Sequence, residues 1–263
     1  MLENDLPAAL ASALPGVHKL PGAFKSEVTA GNGFQAHAKW FKKHMSSQTP
    51  PLTASSSFFK ATVTKKMTSH VQKYAPKELL MNEMCGELTE LNKTLFGVQQ
   101  FHITDQHHLI APTPFAVPEC RYLVEGSYTI LGWPADKVEG ETLEAKINAI
   151  RSEQTAKQYH DMAAAGEQGS FYYVHAEPGT LVLIPSGCIA CICGAWGIER
   201  ENQCGALGLR WGCLPQTAGH VEKIRDLLVD TEESFGRISE DFTAWAGIFK
   251  ELDAEKITEL QKQ

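Results

Sequence analysis

Hydrophobic and polar positions change their rhythm three times along the chain. Up to about residue 75 the apolar positions are irregular and broken by Pro7, Pro15, Pro21, Gly31, Gly33, Pro50 and Pro51 and by a run of three serines at 55–57, which predicts loops with short helices. Trp40, Phe41, Phe58 and Phe59 are the expected anchors of this stretch, because an isolated arm has no reason to expose four aromatics. From Pro76, Leu80, Met84, Leu88, Leu91 and Leu95 recur at helical spacing behind a proline suited to a first turn, with Gly97 as the stop. That pattern predicts an amphipathic helix.

The middle of the chain then switches to short β-rich runs. Between 98 and 134 they are separated by Pro112, Pro114 and Pro118, and 121–125 and 127–131 are the clearest strands. The segment 141–165 is polar, rich in Ala and free of Pro and Gly, which predicts an inserted helix. Four more strands are expected at 171–175, 180–184, 188–193 and 206–211, divided by Pro178-Gly179, by Ser186-Gly187 and by the glycines of 194–205. Many short strands with regular turn signals point to a sandwich or a barrel. Beyond Pro215 the helical period returns, with Val221, Ile224, Leu228 and Phe235 on one stripe and Phe242, Trp245, Phe249 and Leu252 on the next. The expected organisation is an N-terminal arm at 1–75, a β body at 76–217 with a helical insertion near 141–165, and a helical pair at 218–263, in an α+β fold with a mainly β core.

Composition narrows this picture. With 263 residues, 43% apolar and 21% charged, the chain has the makeup of a soluble globular protein. The apolar runs fall far short of the roughly 20 residues that cross a bilayer, so no membrane span is expected. Seven Cys and no charged-then-apolar leader in the first sixteen residues lead us to expect an intracellular, reducing location, cytoplasm or nucleus, rather than a disulfide framework. The net charge of −7 hides an asymmetry: residues 1–77 carry ten Lys, no Arg and three acids, hence +7, and the remainder carries −14. A Lys-rich arm, with Lys39, Lys42, Lys43, Lys65 and Lys66, is one way to reach nucleic acid. The absence of Arg, the side chain best suited to bidentate phosphate contacts, favours instead a positive arm folded on its own negative body.

The most informative segment runs from Glu177 to Ala190, where Gly179, Pro185 and Gly187 are spaced G-x5-P-x-G within strand, turn and strand. Upstream, Glu119 and Gly126 are spaced E-x6-G, followed by a strand that ends in the Trp133-Pro134 pair. Left-handed turns are expected at Gly179 and Gly187, and Pro185 suits a strand end where no ladder donor is needed. This constellation resembles the two conserved motifs of the cupin superfamily in the form seen in Jumonji C (JmjC) domains, over about residues 101–215. The resemblance implies a double-stranded β-helix, a jelly-roll barrel, whose catalytic members hold Fe(II) with two His and one carboxylate and bind 2-oxoglutarate.

Carried over residue by residue, the resemblance places the metal-ligand positions at Thr113, Phe115 and Ala190, with Glu119 as the remaining pocket position. Thr113, Phe115 and Ala190 offer neither imidazole nor carboxylate, so the matched motif argues for the fold and against its usual chemistry. A shifted alignment would bring His102 or His107 with Asp105 to the site as fallback ligands, with Fe(II) and 2-oxoglutarate as fallback cofactors. His175 precedes Gly179 and reads as a half-buried strand residue. Cys188, Cys191 and Cys193, with Cys204, have no standard zinc spacing and read as small buried hydrophobes. Three functions are therefore carried forward. The first is a metal-free, non-catalytic barrel, needing no cofactor, that serves as a ligand-binding or assembly module for a small molecule or a protein partner, with homo-oligomerisation left open. The second is an Fe(II)/2-oxoglutarate-dependent oxygenase of hydroxylase or demethylase type. The third is a nucleic-acid-associated protein acting through its Lys-rich arm.

Overall fold

A computed structural model of the chain describes residues 16–21, 59, 61–75, 98–103, 113–115, 118–153, 161, 171–194 and 206–213. These residues are mostly sheet, with few helices. The strands are β1 (Gly16–Lys19), β2 (Gln99–Ile103), β3 (Thr113–Phe115), β4 (Glu119–Gly126), β5 (Tyr128–Pro134), β6 (Tyr172–Ala176), β7 (Thr180–Ile184), β8 (Cys188–Gly194) and β9 (Ala206–Gly212). The helices are α1 (Ala61–Tyr74) and α2 (Leu143–Glu153).

Two antiparallel sheets result, ordered β1-β7-β4-β9-β2 and β3-β8-β5-β6. Their pairing is nested. Strand β5 pairs with β6, β4 with β7, β3 with β8 and β2 with β9, which is the pattern of one long antiparallel ribbon closed at the β5–β6 end. Folding that ribbon over on itself adds β4–β9 and β5–β8, so the chain passes repeatedly from one sheet to the other. Two of the crossings are tight turns. At Gly179 and Gly187 φ is 86° and 81°, a left-handed backbone that a Cβ would strain, and Pro185 follows the last residue of β7.

Strands buried on both faces read as nearly continuous hydrophobic runs rather than clean alternation. In β7, Leu181 and Leu183 face the cluster formed with α1, while Val182 and Ile184 join the cluster between the sheets. In β5, Tyr128 and Ile130 point between the sheets, while Leu131 and Trp133 pack under α2. Helix α1 covers the five-stranded sheet with Val63, Met67 and Val71, four residues apart on one face. The Gln100 side chain ties its approach down: it accepts from the Phe59 backbone N–H at 3.1 Å and donates to the Phe59 carbonyl at 3.2 Å and to Thr64 Oγ1 at 2.9 Å. Helix α2 starts from a Thr142 cap, whose Oγ1 accepts from the Ala145 N–H at 3.1 Å, and packs Leu143, Ile147 and Ile150 on the outer face of the four-stranded sheet. Among the described residues no helix is long and apolar enough to cross a membrane.

Six expected strands appear, several a residue or two longer than the pattern predicts, and α2 occupies the first part of the expected insertion. Strand β1 departs from the expectation of loops and short helices. Four residues between Pro15 and Pro21 have no periodicity to read; they become a strand because β7 offers its free edge, with Val17 opposite Val182. The helix expected after Pro76, the C-terminal helical pair, and Trp40, Phe41 and Phe58 lie outside the described residues. Phe59 is buried in the cluster under α1.

Candidate functional site

The inner face of the five-stranded sheet carries charge. One register row runs Gln99, Arg210, Arg121, Val182 and Val17 across β2, β9, β4, β7 and β1. Two arginines thus stand directly opposite each other on neighbouring strands, an arrangement that like charge disfavours. Glu119, two residues along β4, relieves it: one carboxylate oxygen accepts from Arg121 Nε at 2.5 Å and the other lies 3.7 Å from Arg210 Nη1. Gln99 Oε1 accepts from Arg210 Nη2 at 3.0 Å. Burial pushes the Arg210 pKa down, Glu119 opposes that and Arg121 adds to it. The other buried carboxylate of β4, Glu125, follows a bulge and sits in register with Leu207, a residue of the α1-facing cluster. The Arg–Arg–Glu group therefore holds one more positive than negative charge.

Aromatic rings join this group to the apolar interior. The Arg121 guanidinium lies over the Phe101 ring, 5.2 Å from its centroid, and the Tyr128 ring meets Phe101 edge-on at 5.8 Å. Gly208 makes room for this stack. A Cβ there would come within 2.7 Å of the Phe101 ring and collide with the Tyr122 carbonyl. The Tyr128 hydroxyl is fully buried and has no hydrogen-bond partner among the described residues. Burial raises its pKa; Arg121 pulls it back and Glu119 pushes it further up, so both charges act at the phenol.

Among the described side chains, the inner face of the four-stranded sheet is apolar apart from the Tyr128 hydroxyl. Ile130, Val174, Ala176, Cys188 and Ala190 share one buried cluster with Phe101, Leu123 and Tyr128. Burial pushes the Cys188 thiol up to about 12, so it is a protonated packing group at neutral pH. Cys191 packs on the other face of β8, under α2.

The expected site residues distribute as follows. Strand register puts Thr113 opposite Ala190 and Phe115 opposite Cys188 on the adjacent strands β3 and β8. Ala190 is buried between the sheets. Glu119 lies on the other sheet, committed to the two arginines. Gly126, Gly179 and Gly187 take positive φ. Of the fallback ligands, His102 is on β2 in register with Leu207, and Asp105 and His107 lie outside the described residues. His175 is a half-buried residue of β6, with Nδ1 3.5 Å from Thr129 Oγ1. Among the described residues, no three His, Cys, Asp or Glu side chains assemble as a metal site.

Sequence reasoning missed Arg121, Arg210 and Tyr128 as a unit. The available signal was a break in the apolar pattern: in Ala206–Gly212 a single arginine interrupts otherwise apolar residues, and in Glu119–Gly126 Glu119, Arg121 and Glu125 flank an apolar core. It also missed the buried thiol pair Cys120 and Cys213, with sulfurs 3.3 Å apart, where burial and then Cys213 raise the Cys120 pKa. No protein-family model matches the chain, and no curated protein matches it.

Proposed function

We propose that the chain is a jelly-roll barrel of the cupin and Jumonji C kind that has no metal at the family position and binds a small molecule between its sheets. Support for the fold comes from the nested pairing of β2 to β9 and the split of those eight strands over two sheets, an arrangement typical of jelly rolls. The edge strand β1 extends one sheet without altering that order.

The observation that carries the functional reading is the contrast at the two walls. The position where the resemblance implies a histidine is Ala190, buried among apolar side chains, while the opposite wall presents two arginines, a glutamate and a glutamine. Buried charge is costly to maintain in a purely structural core, and binding sites combine an apolar lining with a few placed polar groups. A ligand-binding interior accounts for both walls, whereas an assembly module has no use for inward arginines.

Two measurements on the purified chain test this. Anaerobic titration with Fe(II) is expected to show no stoichiometric binding and no turnover of 2-oxoglutarate, while a thermal-shift screen of small organic molecules is expected to find ligands that raise the unfolding midpoint. A ligand at one hundred times its Kd adds about 2.7 kcal/mol. One tightly bound iron per chain with consumption of 2-oxoglutarate would overturn the reading in favour of an oxygenase.

A further inference from the structure

We infer that the ligand is a small organic monocarboxylate with an apolar body, its carboxylate held by Arg121 and Arg210 beside the Tyr128 hydroxyl, and its body lying against the Ala190 wall. This deepens the functional proposal above and rests on it.

The first argument is hydrogen-bond supply. Arg121 spends Nε on Glu119, and its two terminal nitrogens make no hydrogen bond among the described residues. They belong to a side chain only 10% exposed, held over the Phe101 ring. The Tyr128 hydroxyl, fully buried and without a partner among the described residues, is a further donor coupled to the same charges. A buried hydroxyl without a partner favours an acceptor beside it. A guanidinium fork matches a carboxylate in plane and spacing, and Glu119 shows that one carboxylate can pair with both arginines at once.

The second argument is charge. Two arginines and Glu119 leave a single positive charge on this wall, which one carboxylate neutralises. A phosphate dianion would instead leave an excess negative charge between two sheets. The third is access and shape. Side-chain exposure rises from 10% at Arg121 through 18% at Glu119 to 41% at Arg210, so the group grades from interior to solvent and Arg210 stands where an anion enters. Beyond the arginines the buried cluster of Phe101, Ile130, Cys188 and Ala190 is apolar and offers a second carboxylate no charged partner among the described residues.

The test is calorimetric titration of the 263-residue chain with benzoate and butyrate, with benzamide and butyramide as neutral counterparts and inorganic phosphate as a separate arm. The expected result is saturable binding of the acids, at least about tenfold tighter than the amides, since each charge-assisted contact is worth about a decade or more in affinity. Arg121→Gln and Arg210→Gln should each weaken the acids at least about tenfold and leave the amides unchanged, and Tyr128→Phe should weaken them severalfold. Arg210 is half exposed, so Arg210→Gln keeps the test open if Arg121→Gln does not fold. Equal binding of acids and amides overturns the carboxylate assignment and leaves a small-molecule barrel standing. Tighter binding of phosphate than of either acid overturns it as well. If neither acids nor phosphate bind, the inference falls, and the neutral compounds of the thermal-shift screen decide whether the barrel binds small molecules.

Discussion

The five-stranded sheet turns Gln99, Glu119, Arg121 and Arg210 inward, whereas the four-stranded sheet faces them with Ile130, Val174, Cys188 and Ala190. Both sheets bury their outer faces under a helix, α1 on one and α2 on the other, through the same kind of aliphatic packing. The difference is confined to the inner faces. Under the proposed function the two walls divide the labour: the apolar wall supplies packing energy and the charged wall supplies recognition. The positions that the cupin resemblance assigns to metal lie on the β3–β8 strand pair, whereas the inward charged side chains among the described residues sit on the opposite sheet.

This contrast predicts unequal responses to mutation. Ile130→Ala on the apolar wall should give the largest loss, about 3 kcal/mol by urea unfolding, from lost transfer energy and the cavity left behind. A loss below about 1 kcal/mol would mean that the wall is not the packed one. Glu119→Gln comes next, at about 2 kcal/mol, because it leaves two arginines side by side with no counter-charge; partial exposure keeps it below the cost of breaking a fully buried pair. Arg121→Met, by contrast, leaves Glu119 paired with Arg210 and replaces a buried charge by an apolar chain, so the ligand-free protein should change by less than about 1 kcal/mol. If Arg121→Met costs as much as Ile130→Ala, the charged wall is structural and the division of labour is wrong.

The smallest effect concerns pH. Burial raises Cys188 from an ordinary 9.0 to about 12, so the folded state keeps a proton that the unfolded state releases first. The stability this contributes is fully present below pH 9 and is lost as pH rises from about 9 towards 12. Cys188→Ala should reduce the alkaline slope of unfolding free energy by one proton over that window. An unchanged slope would place the thiol in contact with water rather than in the apolar wall.

Much of this architecture is legible in the sequence, for definite reasons. Strands such as Thr180–Ile184 are continuous apolar runs between glycine turns, and the turns demand a left-handed backbone that only a few residues tolerate. Strand β1 is not legible, because four residues between prolines acquire their conformation from an edge more than 150 residues away in sequence. For the site, the motif spacing leads to Ala190 and Glu119, yet Glu119 takes its meaning from Arg121 beside it and from Arg210 on a strand far down the chain. Pairwise register is a tertiary property. A lone arginine in a hydrophobic strand hints at it, but only the sheet order brings the two together.

The central claim, that the interior recognises its ligand through the charged wall, is tested most directly by following the arginine side-chain Nε–H resonances of the nitrogen-15-labelled chain during a benzoate titration. The account predicts that the Arg121 and Arg210 resonances move together in one saturable transition and stay still when benzamide is added. Movement confined to other residues, or equal movement with the amide, would contradict it.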